Sequence, residues 1–284
     1  MSAQLDPSAH DERVDNDEQP FLEHLLELRR RILYALGAVL LLFIPLFFIA
    51  NELYSFIAAP LLAHLPEGGQ MIATGVAAPF LTPFKLTLIL SLFLGMPIVL
   101  YQFWSFVSPG LYLHEKRFAV PLMVSTILLF YLGMAFAYYL VFPLAFNFFA
   151  GAGPAEVAMM TDISSYLDFV LKMFFAFGIA FEIPVATLLL SWSGLTTADA
   201  MASKRPYVIV GCFIVGMLLT PPDVISQLLL AVPTWLLFEV GILFARFAER
   251  QRANRRARED ADEAEADAAS ASADAPSPRD PAQS

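Results

Sequence analysis

The chain has 284 residues, of which 58% are hydrophobic and only 15% charged, with a formal net charge of -10. That balance excludes an ordinary soluble domain, and the uncharged runs at Ile32–Ala50, Leu86–Leu113, Phe118–Ala155 and Pro206–Pro222 fit a bilayer core of about 30 Å, which takes roughly 20 apolar residues per helix. The single cysteine, Cys212, forms no internal disulfide, and most of the acid lies in two terminal segments rather than on one surface.

In chain order, residues 1–20 read as an acidic, disordered leader, and Arg29-Arg30-Arg31 precede the first apolar run. The long leader and full-length run argue for a retained helix rather than a cleaved signal peptide. Spans are predicted near 32–50, 81–107, 118–142, 166–191, 207–220 and 224–244, making an all-α membrane protein of six transmembrane helices. Pro45, Pro97, Pro184 and Pro233 fall inside spans and predict kinks in helices one, two, four and six. Pro206 suits the start of helix five, and Pro221-Pro222 ends it after about 14 residues, or ~21 Å. Such a helix either thins the bilayer locally or packs inside a larger assembly. From 249 to 284 the chain is Ala, Arg, Asp and Glu, then Ser and Pro, and reads as a charged, disordered tail. A membrane domain over 21–248 lies between.

Lys and Arg set the sides. Arg13 and Arg29–Arg31, Lys116 and Arg117, Lys204 and Arg205, and seven arginines after the last span alternate with loops at about 51–80, 143–165 and 221–223 that carry none. The positive-inside rule therefore expects both termini in the cytoplasm.

Several stretches then act together: HLLELRRRI (His24–Ile32), YQFWSFVSPGLYLHEKR (Tyr101–Arg117), FGIAFEIPV (Phe177–Val185), KRPYVIV (Lys204–Val210) and GMLLTPPDVISQ (Gly216–Gln227). In this order the chain resembles the TatC family, the large membrane subunit of the twin-arginine protein translocase, over about residues 20–248. The resemblance implies a concave, cup-like bundle and a receptor for twin-arginine signal peptides on folded cargo. The resemblance further implies that it works with single-span TatB, recruits TatA and is driven by the proton-motive force. It also implies self-association within a larger receptor complex, a bacterial cytoplasmic (inner) membrane location, no cofactor, no metal and no nucleic acid. Leu113 departs from relatives that carry a basic residue there. In agreement, HEKRF is not HExxH, SWSG is not GxSxG, and there is no glycine-rich phosphate loop.

Paired guanidinium groups are best met by carboxylates, which accept two parallel hydrogen bonds from the planar fork. Glu27 and Glu115 have the placement, both on the cytoplasmic side. By resemblance they match the signal-peptide site, with Phe106 a neighbouring aromatic and Arg29 an organising cation. The plainer reading is a surface salt bridge with Arg30, Arg31, Lys116 or Arg117. Pro60, Asp223 and Gln227 match further positions of interest. Locally, Pro60 fixes a turn, Asp223 caps helix six and Gln227 is an interfacial amide, whose partner by resemblance is a TatA or TatB helix.

Glu182 is the costliest residue, a carboxyl about 24 Å along helix four and in the inner half of the membrane. Either it donates, protonated, to the Ala180 carbonyl that Pro184 frees, or it receives a polar group from a partner helix or inserted peptide. Asp168 and Lys172 are expected to pair locally, and Glu239 is given no role. The alternatives are a proton-coupled secondary transporter, which also uses kinked helices and buried carboxyls, and a passive scaffold.

Overall fold

The computed structural model describes the backbone at residues 8–63, 70–107, 116–152, 160–220 and 223–273, and side chains within these from residue 25 to 262, except at 107, 116–119, 152 and 259. The described chain is helical. Its elements are α1 (Ser8–Phe48), α2 (Ala50–Leu62), α3 (Ala78–Leu94), α4 (Met96–Val107), α5 (Lys116–Phe136), a π turn (Ala137–Val141), α6 (Phe142–Ala152), α7 (Ile163–Ala180), α8 (Ile183–Trp192), α9 (Ala198–Ser203), α10 (Arg205–Leu219) and α11 (Val224–Ala273). Among the described residues, four stretches are long and apolar enough to cross a membrane: Leu25–Phe48, Val120–Gly151, Ile163–Trp192 and Val224–Asp262. The α3–α4 pair, bent by 48°, makes a fifth if it is one span. The remaining apolar helix, α10, has 15 residues, short as Pro206 and Pro221-Pro222 foretell. Toward the C-terminus, α11 continues into Ala-, Glu- and Arg-rich sequence, whose helix propensity is high.

Prolines act through the carbonyl four residues earlier, which loses its N–H partner and meets the pyrrolidine ring. The α3–α4 break accordingly falls at Gly95, ahead of Pro97, and α7 gives way to α8 at Phe181–Glu182, ahead of Pro184. By contrast, α1 runs on past Pro45, and α11 continues through Pro233. The π turn ends two residues before Pro143, where one extra residue in the helical turn makes room for the ring. Two freed carbonyls are taken up by tyrosines from the α5–π segment. Tyr131 donates to Phe93 O at 3.1 Å, the atom Pro97 leaves open, and Tyr138 donates to Phe56 O at 2.9 Å, left open by Pro60. Tyr166 adds a bond to the adjacent Ile57 O at 2.7 Å.

The main core joins α2, α3, α5, α6 and α7 through aromatic rings. Phe93, Phe130, Phe142 and Phe177 are almost wholly buried, and Phe142 lies 5.2 Å from Phe174, centroid to centroid. Small residues let α5 and α7 close: a Cβ on Gly133 would stand 2.4 Å from Phe177 O, and one on Gly178 would stand 2.5 Å from the Phe130 ring. Bare backbone at such points is how helices approach in lipid.

At one end, the segment after residue 70 is clasped to the start of α7. Ile72 donates to Thr161 O at 3.0 Å and accepts from Ile163 N at 2.9 Å. The Asp162 carboxylate, which caps α7, accepts from Thr74 N and Ser165 N, both at 3.0 Å. At the other end, α9 is held between α8 and α11. Glu249 accepts from Ser191 Oγ at 2.7 Å and Ala198 N at 2.8 Å, and Arg252 lies over the Trp192 ring at 5.5 Å.

Candidate functional site

The site residues inferred from the sequence fall into two groups. The first lies where α1 enters its apolar stretch and where α4 ends. These helices pack together, and Gly95, just ahead of α4, lies close to α1, since a Cβ there would meet Val39 at 3.1 Å. Glu27 is half-buried, and its Oε1 accepts from both Nε and a terminal nitrogen of Arg31, one helical turn on, with the Nε contact at 3.0 Å. Arg29 and Arg30 are exposed, and Phe106 is half-buried near the end of α4. Glu115 lies outside the described residues.

The second group lies in and beyond the bilayer. Glu182 sits at the α7–α8 break with helical backbone angles and no capping bond. Its Oε1 is buried and, among the described residues, has no hydrogen-bond partner. Below it Val185 packs with Trp104 of α4 and Leu122 of α5. Trp104 buries its indole Nε1, again without a partner among the described residues. Two unsatisfied polar atoms on helices that meet in one buried cluster are uncommon in native interiors. No motif in the sequence marks Trp104, although a tryptophan amid apolar residues always poses the question of where its N–H goes.

At the far turn, Asp223 caps α11 by accepting from Ser226 N at 2.7 Å, while its Oδ2 is buried without a partner among the described residues. Gln227 donates to Phe213 O of α10 at 2.9 Å, so its amide already has an internal partner. Pro60 does not fix a turn as the sequence suggests but lies within α2, where it opens the Phe56 carbonyl to Tyr138.

Two ion pairs differ from the sequence reading. Asp168 bonds Lys85 of α3 at 2.5 Å rather than Lys172; the cross-helix lysine wins because packing α3 on α7 brings its ammonium directly to the carboxylate. Glu239, given no role, makes a two-pronged bond with Arg205, Nε at 2.6 Å and a terminal nitrogen at 2.7 Å. This fixes the start of α10 to α11. No sequence signal announces it, because the partners are 34 residues apart. Among the described residues, no three His, Cys, Asp or Glu side chains gather as metal ligands.

Comparison with known proteins speaks to the whole arrangement. Residues 23–233 match the family model described as Sec-independent protein translocase protein (TatC). The chain is 62% identical over 241 residues to the Sec-independent protein translocase protein TatC of Azotobacter chroococcum mcd 1, covering 84% of this chain and 94% of that protein. It is 55% identical over 239 residues to that of Escherichia coli K12, covering 84% and 93%. A crystal structure of a twin arginine translocase receptor TatC superposes with a TM-score of 0.72 at 38% identity, covering 80% of this chain and 99% of that one. With these matches spanning the helices that carry both groups of residues, the chain belongs to the TatC family of Sec-independent protein translocase proteins.

Proposed function

We propose that this chain is the receptor subunit that binds twin-arginine signal peptides of folded cargo at its cytoplasmic face, with Glu27 and Glu115 as the guanidinium acceptors, Phe106 beside them and Arg29 organising the acids. It acts with TatB and recruits TatA for export driven by the proton-motive force. It sits in a bacterial inner membrane with six spans, both termini in the cytoplasm, and self-associates in a larger complex. Glu182 faces partner helices or inserted peptide, Gln227 is bonded within the chain to Phe213 O and reaches a partner only by exchanging that bond, and Pro60 and Asp223 serve the opposite surface. The family match favours this reading over a solute transporter or a passive scaffold.

The observation that carries the reading is the match of residues 23–233 to the TatC family model. Glu27 itself is bonded to Arg31 through two nitrogens, the plainer local salt bridge, so a peptide arginine has to displace Arg31 to reach it. A peptide arginine asks for the same interaction, and a lysine, lacking the planar fork, matches it poorly. Charge-assisted hydrogen bonds contribute about 1.5–3 kcal/mol each. Glu27→Ala or Glu115→Ala is therefore expected to weaken binding of a twin-arginine peptide about tenfold or more, with a lysine-pair peptide already weak. Quantitative crosslinking to protein in vesicles checks this, and undiminished crosslinking in the double variant rules the site out.

A further inference from the structure

Away from both groups, α3 and α7 border a groove of about 260 Å³, lined by Lys85, Asp168 and Lys172 at one end and by Ile89, Phe93 and Phe175 below them. Its charges do not balance. Lys85 and Asp168 bond each other across the two helices, which leaves the exposed ammonium of Lys172 one turn further along α7 with no ion pair among the described residues. The depth of this excess cation can be worked out. The α7–α8 stretch has 30 residues, about 45 Å at 1.5 Å each, against a hydrocarbon core of about 30 Å. Centred in the bilayer, its first ~7 Å lie among the headgroups. Lys172 is nine residues past Ile163, or ~13 Å along the axis. Its Cα is then about 6 Å inside the hydrocarbon, within reach of the boundary for a lysine that extends outward along its helix.

We propose that this groove binds an anionic phospholipid of the leaflet facing the start of α7, with the lipid phosphate against Lys172 and Lys85 and an acyl chain along Ile89, Phe93 and Phe175. A cation at the hydrocarbon boundary sits among lipid headgroups, and only a lipid of net negative charge leaves its phosphate free to complement it, since a zwitterionic headgroup carries its own ammonium. An apolar wall running inward from the charged end suits a tail. Free inorganic phosphate would use only the charged end.

Native mass spectrometry of the full chain, released from nanodiscs of mixed phosphatidylglycerol and phosphatidylcholine, tests this. The wild type is expected to retain phosphatidylglycerol in preference to phosphatidylcholine. A surface lysine contributes about fivefold in affinity for anionic lipid, on the order of 1 kcal/mol. Lys172→Ala should therefore cut the preference about fivefold, and Lys172→Glu should abolish it. Both substitutions fall at an exposed site, and an unchanged melting temperature in pure phosphatidylcholine shows that the variants fold. Equal retention of the two lipids by wild type overturns the proposal, as does a preference that survives Lys172→Glu. Protection against heating by inorganic phosphate alone, equal to that by phosphatidylglycerol, overturns it too, since the apolar wall would then play no part.

Discussion

Asp162 gathers four donors: the backbone N–H and hydroxyl of Thr74 at 3.0 and 2.9 Å, and those of Ser165 at 3.0 and 3.1 Å. Each bond favours the ionised carboxylate, the Thr74 and Ser165 backbone N–H groups most, and together they hold its pKa at about 2 against an ordinary 3.8. A folded-state pKa below the unfolded one gives stability that is complete above the unfolded value and lost as pH falls through the folded one. The clasp between the Ile72 segment and α7 should therefore hold at neutral pH and loosen between about pH 4 and pH 2. Thermal unfolding in detergent, compared with Asp162→Asn, checks this: the wild type should be the more stable at pH 6, with the gap closing below pH 4. Beside it, Tyr54 donates weakly to Ile163 O at 3.4 Å. Burial and then the Asp162 charge push its pKa up to about 12, so its hydroxyl keeps its proton throughout this range.

Between elements, contact distance is set by what is missing. Gly241 lets α11 lie on α8, where an added Cβ would fall 2.1 Å from Thr187 Oγ1 and 3.0 Å from Pro184 Cα. One of these is backbone beside the α7–α8 break, which has little room to give. Gly241→Ala is expected to cost about 1–3 kcal/mol, as overpacking does. Gly211→Ala on α10, where a Cβ meets nothing within 4 Å, should be neutral or mildly stabilising. Melting temperatures of the two variants separate the effects. What could be read beforehand divides along the same line. Apolar run length, the proline positions and the shortness of α10 are local properties, and the sequence displays them directly. The extra helices α2 and α6 were not foreseen, because their apolar composition blends with the spans that flank them. Glu239 and Asp168 were misjudged because their partners come from distant helices, where only packing can bring them. At the candidate site the residue types rest on resemblance, and Glu115 lies outside the described residues. The Arg31 contact to Glu27 was among the local readings, whereas the buried Trp104 indole was not anticipated.

At the scale of the molecule, the two ends differ in kind. One is clasped by backbone bonds and the Asp162 cap. The other is fastened by charge, through Arg205–Glu239, the Glu249 bonds and Arg246–Asp199 at 3.0 Å. Positive residues gather at that second end, which the positive-inside rule assigns to the cytoplasm. In a Cys212→Ala background, a cysteine at Gln70 should react with an impermeant maleimide added outside intact cells, and one at Gln251 only after permeabilisation.

The tyrosines that meet the proline-opened carbonyls have a mechanical consequence. Straightening α3–α4 at Gly95 would strip a hydroxyl and a carbonyl of their shared bond at once, inside a setting that offers no water to replace it, and shifting Tyr138 away from α2 would break its bond to Phe56 O. Those two joints are therefore stiff. At the α7–α8 joint no tyrosine hydroxyl among the described residues is bonded to the backbone, and the carboxyl stationed there is unengaged on its buried oxygen. Of these three joints it is the one with no hydroxyl brace among the described residues, so bending there trades side-chain packing, such as that of Pro184 against Gly241, rather than a hydrogen bond.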